Sequence, residues 1–160
     1  MTRSQPTASV TSASGVAVGD EVLGVNFEAL SKRVPKRSRA SAKKAGSSFE
    51  RSTADHLAAV IDDRIDRRVK TGNKDRGDIG GLRHMGGRIV IECKDYGGRL
   101  MPGPWIAEAE TERGNDDALA GLVIAKRRGT TNPGDQYVLM TVNDLTALLT
   151  GERHENQEEA

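Results

Sequence analysis

The sequence predicts an α/β domain in which a mixed β-sheet is covered by helices on both faces. Three observations carry that reading. An apolar stripe at helical spacing, Phe49, Ala54, Leu57, Ala58, Ile61 and Ile65, marks a long first helix. Two later runs, Arg88-Ile89-Val90-Ile91-Glu92-Cys93-Lys94 and ALAGLVIAK at 118–126, are apolar on both faces and ask for cover above and below. Between them Pro102 and Pro104 break the chain just before a second helical stretch.

Taken in order, the first helix is expected over about 48–67 and opens at Ser47-Ser48-Phe49-Glu50, where Ser followed three residues on by Glu has the form of a capping box. Asp55, Asp62, Asp63, Arg64, Asp66 and Arg67 fall mostly on its outer face. The period then changes. A strand near 77–84 is joined to one at 88–94 through a Gly-rich hairpin turn at Met85-Gly86-Gly87-Arg88. The second helix, about 104–116, carries Trp105, Ile106 and Ala109; Trp105 and Ile106 read as its core anchor ahead of a stacking platform for a base, or as part of a dimer contact. Strands follow at 118–126 and, after the turn Asn132-Pro133-Gly134-Asp135, at 136–142. A terminal helix at 143–149 is expected to be capped by Asn143.

The chain is 160 residues long, which suits one domain with tails. Only 36% of it is hydrophobic and 3% aromatic, so part should lie outside the core. The net charge of +1 hides an asymmetry: positions 1–45 hold eight Lys or Arg against three Asp or Glu, 46–150 fifteen against sixteen, and 151–160 one against four. The expected organisation is a basic, Ser-rich leader (1–45), a nearly neutral domain (46–150) and an acidic tail (151–160). Within the leader, EVLGVNFEAL at 21–30 has the apolar content of a short helix or docking segment. The leader suits a polyanion, with salt-dependent binding, or a solvated linker. No apolar run approaches a membrane span, and the N-terminus lacks the apolar stretch of a secretory signal. Cys93 is the only cysteine, so internal disulfides and cysteine-based zinc sites are excluded and a reducing cytoplasm is expected.

The chemistry is concentrated in Asp78 and Glu92-Cys93-Lys94. Strand alternation sets Glu92 and Lys94 on one face and Cys93 on the other. A hairpin can bring Asp78 beside Glu92, and two partly buried carboxylates are costly unless a cation joins them. Mg²⁺, with Mn²⁺ as the alternative ion, resolves that conflict and supplies what phosphodiester hydrolysis needs. Lys94 is then placed to orient water or to stabilise charge on the phosphate. Glu50 has two readings, a capping-box partner of Ser47 or an additional metal ligand, direct or through water. Lys74, Arg76, Arg83, Arg99, Lys126, Arg127 and Arg128 are candidates for backbone phosphate contacts. His56, His84 and His154 show no metal-ligand spacing.

The ordered set Gly46-x-x-x-Glu50 at a helix, Gly77-Asp78-Ile79, and Ile91-Glu92-Cys93-Lys94 resembles the PD-(D/E)xK nuclease superfamily, and more narrowly the archaeal-type Holliday junction resolvases and their phage-encoded relatives. The likeness spans roughly 44–128, and Gly77 stands where the family's name has proline. It implies a restriction-endonuclease-like fold with an αβββαβ core, in the cytoplasm of a cell or of a phage's host. It also implies that Asp78 and Glu92 are metal ligands with the Cys93 main-chain carbonyl, that Glu50 is the helix glutamate, and that Lys94 is the catalytic lysine. The expected substrate is branched or duplex DNA. Paired nicks in a two-fold symmetric junction imply a homodimer. Rival readings are another nuclease of the same fold, for repair or restriction, a non-catalytic DNA-binding module, and a structural protein.

Overall fold

The structure is a computed structural model that describes residues 38–69 and 74–154. The expectations for 1–37, including the segment at 21–30, and for the last part of the acidic tail, 155–160, lie outside the described residues.

Helix α1 is Arg39–Val60, longer at its start and shorter at its end than its apolar stripe suggested. Ser38 caps it, accepting a hydrogen bond from Ser41 N at 3.2 Å. Ala40, Ala42, Lys43 and Lys44 are good helix formers, so the helix runs back through the charged stretch that composition assigned to the leader. The boundary drawn at 45/46 therefore falls inside α1, and Ser47 with Glu50 lies mid-helix rather than forming a capping box. The chain leaves the helix at Ile61, where Asp62 folds back to accept from Arg64 N at 3.0 Å. Ile61 is exposed in consequence, while Ile65 reaches the core from the turn that follows.

A six-stranded sheet comes next: β1 Asp66–Arg67, β2 Ile79–Gly80, β3 Arg83–His84, β4 Gly87–Lys94, β5 Ala120–Ala125 and β6 Tyr137–Leu139. Its order is β1-β2-β4-β5-β6, with β3 pairing the start of β4. The pair β4/β5 is parallel and the others antiparallel, so the sheet is mixed. The strand expected at 77–84 is instead two short pieces, because Gly81 adopts φ +89° and breaks the run. Met85 and Gly86 both take positive φ between the paired His84 and Gly87, as a two-residue hairpin turn requires.

Helix α2, Pro102–Asn115, links β4 to β5, and a 3₁₀ turn at Pro133–Asp135 precedes β6. Helix α3 is Val142–Thr150. Its cap is Thr141, not Asn143: the Thr141 hydroxyl accepts from Asp144 N at 3.0 Å while the Asp144 carboxylate accepts from Thr141 N at 3.2 Å. Threonine followed by aspartate three residues on satisfies two end groups reciprocally.

Two core clusters result, one on each face. Phe49 and Ala54 of α1 pack with Ile65, Ile79, Ile89, Ile91, Leu122 and Ile124, joined by Leu148 of α3. On the other face Trp105 and Ala109 of α2 pack on Val123 and Ala125. Trp105 is thus a core anchor. Gly121 lets α2 come close, since a Cβ there would meet Ala109 O at 2.7 Å. Among the described residues no helix is long and apolar enough to cross a membrane.

Candidate active site

Gly77 sets the geometry. Its φ is +85°, and a Cβ would meet Val90 Cγ1 at 2.7 Å and Ile91 O at 2.8 Å, so both conformation and space demand glycine. Proline, fixed near φ of about −65°, cannot take this turn. Asp78 is then locked onto β4 from both ends. Its N–H donates to Ile91 O at 2.9 Å and its Oδ2 accepts from Cys93 N at 3.0 Å, while Ile79 pairs with Ile91. Asp78 is buried.

Along β4, Ile89, Ile91 and Cys93 face the α1 cluster, whereas Glu92 and Lys94 face α2. Carbonyl directions alternate as well. Ile91 O accepts from Asp78 N on the β2 side and Lys94 O from Lys126 N at 2.9 Å on the β5 side, so Cys93 O turns toward β2 and Asp78. Asp78, Glu92 and the Cys93 carbonyl therefore gather at one end of β4.

Lys94 Nζ donates to Glu92 Oε1 at 2.8 Å and to Glu108 Oε2 at 2.5 Å. Burial lowers the pKa of this ammonium, but the bonds to Glu108 and Glu92 outweigh burial and raise it above the usual lysine value. Glu92 is only 5% exposed, and its Oε2 is buried without a hydrogen-bond partner. Burial first, and the Asp78 charge second, push its carboxyl up to about 8. Glu112 is 3% exposed with an equally unpartnered Oε2. Burial, then Asp75 and Glu108, push it up to about 7. Carboxylates, a carbonyl and an unsatisfied buried oxygen form a donor set that suits a hard divalent cation.

Glu50 approaches from α1 and is bonded to Arg67. Its Oε2 accepts from Arg67 Nε at 3.1 Å and from Arg67 Nη2. With Asp78, Lys43, Arg67 and Arg68 it lines a cleft of about 720 Å³. In that cleft it is the partner of an arginine.

The basic candidates divide into groups. Lys126, Arg127 and Arg128 line, with Asp95 and Gly97, a pocket of about 370 Å³ beyond the carboxyl ends of β4 and β5. Lys126 donates to Thr130 O at 2.7 Å and lies 5.6 Å from the centre of the Phe49 ring. Arg127 sits 5.7 Å from the Tyr137 ring centre. Arg99 is exposed on the same loop side. Lys74 and Arg76 line a second pocket, with Arg76 Nη1 3.9 Å from Asp116. Arg83 is at the other end of β4, paired with Arg88, about 17 Å from Cys93 at strand rise, and does not reach the site.

Sequence reasoning missed Glu108, Glu112 and Arg67. Glu112 had left a signal: Trp105, Ala109 and Glu112 recur at helical spacing, and all three are buried. Arg67 was placed in the first helix, which ends before it. No family model matches this chain, and no curated protein or solved structure is significantly similar to it.

Proposed function

We propose that the protein is a Mg²⁺-dependent DNA endonuclease of the PD-(D/E)xK type, a Holliday junction resolvase nicking four-way junctions as a homodimer. The observation that carries this reading is the buried set Asp78, Glu92, Cys93 carbonyl and Lys94 at one end of β4, with one Glu92 oxygen unsatisfied. The element order supports it: α1, three strands of the main path, α2 and β5 follow in the order αβββαβ, with β3 as an added hairpin arm.

When bound, the cation polarises the phosphodiester and lowers the pKa of a water. Asp78, Glu92 and the Cys93 main-chain carbonyl would hold it, with Mn²⁺ as the alternative ion to Mg²⁺. Lys94 keeps its proton and offers a fixed donor to charge developing on the phosphate. Glu50, held by Arg67, shapes the cleft wall. Lys126, Arg127, Arg128 and Arg99 beside the site, and Lys74 and Arg76 near Asp78, give sequence-independent contacts to the DNA backbone.

The test is cleavage of a labelled four-way junction beside a flap and a matched linear duplex, in Mg²⁺ or EDTA. The expected result is symmetric nicks in the junction, absent in EDTA and reduced at least about 10³-fold in Asp78→Asn and Lys94→Ala. Cutting of the flap or duplex instead keeps the nuclease and replaces its substrate. A wild-type protein that retards the junction on a gel but cuts nothing overturns the enzyme in favour of a binding module.

A further inference from the structure

Helix α2 brings two carboxylates to the site that the core set does not use. One oxygen from each of Glu92, Glu108 and Glu112 lies within 4.8 Å of the other two. Glu108 and Glu112 are one turn apart on α2, and Gly121 allows the close approach that presses this helix onto the sheet. Lys94 is the only cation bonded to the cluster among the described residues, and it touches Glu92 and Glu108 but not Glu112. Glu112 is 3% exposed with a buried oxygen that meets no donor, and Glu92 Oε2 is in the same condition. An interior carboxylate left without a partner carries its full desolvation cost. A single lysine cannot neutralise three acids.

We propose a second divalent-cation site formed by Glu92, Glu108 and Glu112, separate from the Asp78–Glu92–Cys93 set and sharing Glu92 with it. Oxygens on opposite sides of Mg²⁺ at about 2.1 Å stand about 4.2 Å apart, and at the longer bonds of Ca²⁺ about 4.8 Å, so the present spread needs little closure. Binding there satisfies the two orphaned oxygens together and takes over the counter-ion role of Lys94 at Glu108, leaving the ammonium to the substrate side. Paired ions bridged by a shared carboxylate are a known arrangement for displacement at phosphorus. The inference rests on the proposed nuclease site for its chemistry, but not for its ligands.

Titration of the metal-free, full-length protein with Mn²⁺ alone, following the free-ion resonance by electron paramagnetic resonance, separates the two. Two ions per chain in the wild type, one lost in Asp78→Asn and the other in Glu112→Gln, is the expected result. Glu108→Gln, at a half-exposed position that folding tolerates, should weaken the second ion at least tenfold and decides the matter should Glu112→Gln fail to fold. One ion, lost in Asp78→Asn and kept in Glu112→Gln and Glu108→Gln, overturns the second site and leaves the proposed enzyme intact. One ion with the opposite pattern supports the α2 site and removes the metal role of Asp78. A wild type that binds no Mn²⁺ overturns both.

Discussion

Glu92 on the sheet and Asp144 on α3 are both buried carboxylates, and they are built in opposite ways. Asp144, 2% exposed, has every oxygen engaged: Oδ1 accepts from Gly121 N at 3.2 Å and Arg153 Nη1 at 2.7 Å, and Oδ2 from Thr141 N at 3.2 Å and Thr141 Oγ1 at 2.5 Å. Burial works to raise its pKa, yet Thr141, Arg153 and Gly121 together hold it below the usual value. Glu92 has one lysine and one empty oxygen, and its carboxyl is pushed up to about 8. The first is a finished structural link between α3, β5 and the C-terminal turn. The second keeps one buried oxygen without a donor, and that difference separates a candidate site from a brace.

Breaking each cluster should give different losses. Gly77→Ala is expected to have the largest effect, since it strains a left-handed turn and drives a methyl into Val90 and Ile91 O, displacing Asp78. Mg²⁺-dependent cleavage should fall below detection, with folding weakened by more than about 2 kcal/mol in chemical denaturation. Asp144→Ala leaves Arg153 without its buried partner and should cost about 3–5 kcal/mol, while activity at low temperature survives.

The pH dependence sharpens the contrast. In EDTA, folded Glu92 holds its proton up to about 8, whereas the unfolded chain releases it near 4.5. Stability should therefore fall as pH rises between those values, by up to about 1.4 kcal/mol per unit for this group, and level off above. Asp144 has the opposite sign. Its contribution is complete above its ordinary value of 3.8 and is lost as pH falls through its depressed folded value. Urea titrations at stepped pH should show the Glu92 limb disappear in Glu92→Gln and the acid limb shrink in Asp144→Asn.

The smallest effect concerns DNA. Arg128→Ala, in the pocket beyond β4 and β5, should lower junction affinity several-fold and reduce the slope of log affinity against log salt by about 1. Arg83→Ala, at the far end of β4, should leave both unchanged.

Much of this was legible in the chain. The two buried strands, the proline-opened α2, the hairpin turn at Met85-Gly86 and the meeting of Asp78 with Glu92 all follow from local pattern. The ends of α1 did not, because a solvated Lys/Ala-rich turn carries helix propensity without an apolar stripe, and because Ile65 continues the stripe by coincidence after the helix has stopped. Glu50 looked like a site residue or a cap. Its arginine partner comes from β1, a strand of two residues with no signal of its own. Glu112 lay on the buried face of α2, but its charge invited an outward placement. Only the closeness of α2 to β5, set by Gly121, turns it into part of the cluster.

The most direct measurement is the melting temperature of the wild-type protein and of Glu92→Gln at pH 7, each with EDTA and with saturating Mg²⁺. The account predicts a wild type that gains several degrees with Mg²⁺, since a ligand bound at 100 times its Kd adds about 2.7 kcal/mol. Glu92→Gln should melt at or above the wild type in EDTA and ignore the metal. A wild type indifferent to Mg²⁺, with a Glu92→Gln variant that melts lower, would make Glu92 a structural partner of Lys94 and contradict the assignment of this cluster as a cation site.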